Sequence, residues 1–158
     1  MRYVVWGLGL LVIAGITFVV IQFLTFKRGI HYAKHVTVDG ESFTIQIHYG
    51  SKFAAKWLKT MGFAMHGHIW MAWPRAVVRR VDVAHEVLHL VREHVVGRWR
   101  YTLETSWEWL TQRVHNRRST EEEPRRGQKG LAVDGWEDVV IAGKVRRVTA
   151  LFLMEIAT

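Results

Sequence analysis

The 158-residue chain contains no cysteine. Disulfides and thiolate metal ligands are excluded, so any bound metal must be held by histidine, aspartate or glutamate. There is no glycine-rich phosphate loop, no Ser/His/Asp order and no internal repeat. Charge is missing from one long run, residues 4–26, "VVWGLGLLVIAGITFVVIQFLTF", whose only amide is Gln22. As a helix this run would reach about 34 Å, more than a hydrocarbon core of about 30 Å. A cleaved leader would have an apolar stretch of only about 7–15 residues and a small-x-small site after it. No such site precedes "FKRG", where Lys27 and Arg28 end the run. The sequence therefore predicts a single transmembrane anchor over residues 1–28 and a folded domain over residues 29–158. Arg2 on one side and Lys27, Arg28 and Lys34 on the other lean weakly toward a cytoplasmic domain and leave the side of the membrane open.

The net charge is +8 and 49% of the residues are apolar, too apolar for a disordered basic tail. Basic clusters run from Arg75, Arg79 and Arg80 to Arg146 and Arg147. They suit a solvated surface, or attraction to anionic lipid head groups or cell-wall polymer. Nucleic acid is disfavoured as a partner, because Trp99, Trp107 and Trp109 fit a helix core as well as they fit base stacking.

"VTV" and "SFTIQIHY" alternate around Asp39-Gly40, which predicts a hairpin. "SKFAAKWLKTMG" predicts a short helix and "FAMHGHIWMAW" a single strand. Apolar residues at three- and four-residue spacing predict a helix over residues 76–93, closed by Gly97. A second helix follows, with Tyr101, Leu103, Trp107, Leu110 and Val114 as inner positions. "STEEEPRRGQKG", with Pro124, Gly127 and Gly130, reads as a loop. "WEDVVIAGKVRRVTALFLM" reads as a hairpin around Gly143-Lys144. The predicted fold class is α+β: a transmembrane helix, then a compact domain with a small sheet and two main helices.

The chemistry lies in residues 80–94, "RVDVAHEVLHLVREH", where His85, Glu86 and His89 form H-E-x-x-H. Four residues advance a helix by about 400°, so both imidazoles leave one face, a turn apart, and can meet one ion. Glu86 stands about 100° round from His85, placed for a water on that ion. The neighbours Val83, Ala84, Val87, Leu88, Leu90 and Val91 carry no charge, as a dry metal helix requires. The bland reading is an amphipathic helix whose histidines face solvent. A third ligand remains open among Glu104, Glu108, Glu121, Glu122 and Glu123. His94 lies five residues beyond His89 and lacks the preceding glycine of a metzincin.

In order along residues 62–123, "GHIWM", "HEVLHL", "GRWRYTLETSWEWL" and "EEEP" resemble the small zincin-type metallopeptidase domains of bacteria and their phages. Such domains commonly have glutamine seven residues after the first motif histidine, where this chain has Arg92, and alanine where it has Pro124. The resemblance implies Zn2+ held by His85, His89 and Glu121, Glu86 as general base, and a peptide or protein as substrate. It ranks Glu121 ahead of Glu108, Glu104 and Glu123. An oxyanion donor would come from His66, His68, His94, Tyr101 or His115. The expected function is a membrane-anchored zinc metallopeptidase. The alternative is a catalytically silent zincin-like module tethered to a membrane.

Overall fold

Three two-residue turns of the form X-Gly set the sheet. Asp39-Gly40, His66-Gly67 and Ala142-Gly143 all take positive φ at both positions, the backbone of a tight hairpin matched to strand twist. They join β1 (His31–Val38) to β2 (Glu41–Tyr49), β3 (Gly62–Met65) to β4 (His68–Met71), and β5 (Trp136–Ile141) to β6 (Lys144–Thr149). The computed structural model describes residues 31–52, 54–55, 60–111 and 119–156. By contact the chain divides into Met1–Ile30 and His31–Thr158, and the first unit lies outside the described residues.

The three hairpins merge into one six-stranded sheet of order β3-β4-β2-β1-β6-β5, antiparallel except where β2 runs parallel to β4. Among the described residues three α-helices accompany it: α1 (Arg80–Val96), α2 (Arg98–Thr111) and α3 (Ser119–Asp134). Val36, Val38, Ile45, Ile47, Ile69 and Met71 of the sheet pack with Val83, Val87, Leu88 and Val91 of α1 and Leu131 of α3. Burial of each such side chain is worth about 1.5–3 kcal/mol.

Several expectations need correction. The fold class is α+β, but a transmembrane helix is not part of it as described. Among the described residues no helix is long and apolar enough to cross a membrane, and the expected span over residues 4–26 lies outside them. The sheet is also larger than a small one, and among the described residues three α-helices stand where two were expected. "FAMHGHIWMAW" is two strands, because His66 (φ 53°) and Gly67 (φ 80°) reverse the chain. Glu93 holds that turn, accepting from the His66 backbone N–H at 2.8 Å and lying 3.1 Å from its Nδ1.

"STEEEPRRGQKG" is helix α3, not loop. Its glycines serve close packing. A Cβ on Gly127 would lie 2.6 Å from Val139 Cγ2 and 3.2 Å from Leu88 Cδ1, and one on Gly130 would meet Glu137 Oε2 at 1.3 Å. Tertiary contact thus outweighs the poor helix propensity of glycine and proline. At the start of α3, the Thr120 N–H and Oγ1 donate to Glu108 Oε2 at 3.1 and 2.6 Å.

Of the inner positions expected in α2, Tyr101 is buried, whereas Leu103 and Trp107 are 70% and 69% exposed. The side chain of Leu110 and all of Val114 lie outside the described residues, as do residues 53 and 56–59 of the helix expected at 51–62. The last hairpin turns at Ala142-Gly143, one residue earlier than expected.

Candidate metal centre

Helix α1 carries His85, Glu86 and His89; it begins after Arg79, whose side chain pairs with Asp82 at 2.9 Å, and ends at Gly97 (φ 94°). The imidazoles of His85 and His89 stand nearly perpendicular, at 85°, with Nε2 atoms 3.1 Å apart. Each ring is held through its other nitrogen. His85 Nδ1 lies 2.8 Å from Gln128 Oε1 of α3, and His89 Nδ1 lies 3.0 Å from the Tyr101 hydroxyl of α2. An amide oxygen can only accept, so a neutral His85 ring with its proton on Nδ1 would present an Nε2 lone pair to a metal. A Tyr101 hydroxyl accepting from Nδ1 does the same for His89.

Glu121 of α3 completes the group. Its Oε2 lies 3.3 Å from His85 Nε2 and 3.6 Å from His89 Nε2. Ligands about 2.0–2.1 Å from a tetrahedral ion stand about 3.3 Å from one another. Edges of 3.1, 3.3 and 3.6 Å bracket that value. His85, His89 and Glu121 can therefore hold a metal ion.

Glu86 is 7% exposed and lies against the edge strand β3. A Cβ on Gly62 would meet Glu86 Oε1 at 2.6 Å, so only glycine leaves room for the carboxylate. Burial pushes the Glu86 pKa up, partly offset by the charges of His89 and His85. For His85, burial opposes protonation, but the Glu121 hydrogen bond and the nearby Glu86 outweigh it and its pKa is raised. Burial pushes the Tyr101 pKa up as well, so the hydroxyl keeps its proton.

The other glutamates weighed as ligands are engaged elsewhere. Glu108 caps α3. Glu104 lies 3.2 Å from Arg92 and 2.8 Å from Arg100. Glu123 pairs with Arg92 and accepts from the Ala142 N–H at 3.2 Å, while Glu122 pairs with Arg126. Arg92 is itself buried, so it clamps α1 to both α2 and α3 beside the metal group. Among the oxyanion candidates, Tyr101 reaches the site, as the partner of His89. His66 is held by Glu93, His94 stacks on Phe43 at 4.4 Å, and His68 pairs with His48. His115 lies outside the described residues.

Gln128 is the site residue that sequence reading missed. It lies seven residues after Glu121, two turns along the same helix face, and the signal was hidden once the segment was read as a loop. No protein-family model, curated protein or solved structure matches the chain.

Proposed function

We propose that the protein is a zinc-dependent metallopeptidase of the zincin type. The observation that carries this reading is the convergence of His85 Nε2, His89 Nε2 and Glu121 Oε2, with the Glu86 carboxylate on the adjoining flank of α1. Two histidines and one carboxylate suit zinc, with a fourth position left open. Zinc, when bound there, supplies a Lewis acid that brings the pKa of a coordinated water toward about 7.

The chain's own residues do the rest. Gln128 and Tyr101 hold the two imidazoles in the tautomer that presents Nε2. The Glu86 carboxylate takes a proton from the attacking water as it adds to a peptide carbonyl, then delivers it to the departing amine nitrogen. Its raised pKa suits that return. Strand β3 is the outer strand of the sheet beside Glu86, and an extended peptide paired along it would place a carbonyl at the carboxylate.

The burial of Glu86 favours a second reading, a metal-binding module without catalysis. One variant separates the two. Glu86→Gln keeps size and polarity, so zinc content by elemental analysis should stay at wild-type level. Cleavage of a fluorogenic peptide mixture should fall by about 10²–10⁴. Unchanged cleavage removes Glu86 as the base, and zinc lost together with activity makes it a ligand instead.

A further inference from the structure

We propose that His48 and His68, with His31 beside them, form a second transition-metal site, on the face of the sheet turned away from α1, selective for an imidazole-preferring ion such as Cu(II).

Successive strand residues point to opposite faces. Ile45, Ile47, Ile69 and Met71 join the core, so His48 of β2 and His68 of β4 project to the other side. His48 Nε2 lies 3.0 Å from His68 Nδ1, nearly the 3.1 Å that separates the His85 and His89 nitrogens. The indole of Trp70 stacks on both rings, with centroids 5.6 and 5.4 Å away at 13° and 16°. That wall fixes the ring planes, as a preorganised ligand pair requires. His31 is the cross-strand partner of His48, its ring centroid 5.6 Å away, and it is exposed.

His48 is 6% exposed, and its Nδ1 has no hydrogen-bond partner among the described residues. Burial, with His68 and His31 close by, lowers its pKa to about 4, so near neutral pH the ring is uncharged and offers lone pairs. The facing nitrogens share one proton. A divalent ion takes its place and the proton leaves to solvent. Facing imidazoles suit copper, nickel or zinc, and copper binds tightest in the general affinity order.

Copper should be titrated into the full-length chain against a glycine competitor that strips weakly held ions. Wild type should load two ions per chain, and His68→Asn one, its second affinity lowered at least about tenfold, as for lost metal contacts in general. His89→Ala should lose only the other ion, so this site and the α1 group fail independently. The copper kept by His89→Ala should show imidazole nitrogen couplings in electron paramagnetic resonance. His48→Phe, close in volume to the ring it replaces, is the second variant should His68→Asn unfold. Equal copper content in wild type and in whichever of these two variants folds overturns the proposal, as does copper in His89→Ala without nitrogen coupling.

Discussion

Helices α1 and α2 both carry apolar residues at three- and four-residue spacing, and they use them in opposite ways. Helix α1 buries Val83, Val87, Leu88 and Val91 against the sheet. Helix α2 leaves Trp99, Leu103 and Trp107 outside, at 81%, 70% and 69% exposed. It turns Tyr101, Glu104 and Glu108 toward its neighbours instead, where they meet His89, Arg92 and Thr120. The cause lies on α1. His89 and Arg92 are buried polar groups, and leaving such a group unpaired costs about 1–3 kcal/mol or more. Only the polar side of α2 supplies partners. Periodicity locates a stripe, and the needs of the facing surface decide which side goes in.

The sharpest way to break this contrast is to remove the charge that draws α2 and α3 inward. Arg92→Leu leaves Glu104 with Arg100 alone and Glu123 with the Ala142 N–H alone, and should cost about 2–4 kcal/mol, toward the lower side of broken buried pairs because both carboxylates are partly exposed. Urea unfolding measures it, and a loss under 1 kcal/mol, within the range of an exposed pair, would count against the clamp.

Truncation at matched positions should separate the helices next. Leu88 is 1% exposed, against 70% for Leu103. Leu88→Ala should destabilise by about 2–5 kcal/mol, and Leu103→Ala by no more than about 0.5 kcal/mol. Equal losses would mean that the outer stripe of α2 is covered.

A smaller effect tests the polar side alone. Tyr101→Phe removes the hydroxyl at His89 Nδ1 and should weaken metal binding by about 10–100-fold. Trp107→Ala, on the outward face, should leave the affinity unchanged. A chelator competition assay reads both.

The least effect concerns pH, through His48. Its folded pKa, about 4, lies below its ordinary 6.5, so the unfolded chain takes up the proton first on acidification. The stabilisation is complete above pH 6.5 and is lost as pH falls toward 4. His48→Phe should flatten the stability curve in that window. An unchanged slope would assign the acid sensitivity to other groups.

Much of the site was readable without coordinates. The H-E-x-x-H spacing on an uncharged helix depends only on helical geometry, and the order of segments pointed to Glu121 among several glutamates. The hairpin at Asp39-Gly40 was legible because both turn residues favour positive φ. The turn at His66-Gly67 was not, since histidine gives no such signal and its conformation is held by Glu93 from another element. Helix α3 was hidden for a related reason. Proline and two glycines argue against a helix locally, while Gly127 lies where Val139 of β5 comes too close for a side chain.

The sequence by itself determined what short-range geometry can encode: the helix of the H-E-x-x-H motif, its two imidazoles on one face, the hydrophobic alternation of β1 and β2, and a basic surface. Tertiary structure alone decided which residues hold the imidazole Nδ1 atoms and which face of α2 turns inward. These depend on contacts between residues up to 43 positions apart, as in His85 with Gln128, and no local period carries information across that distance.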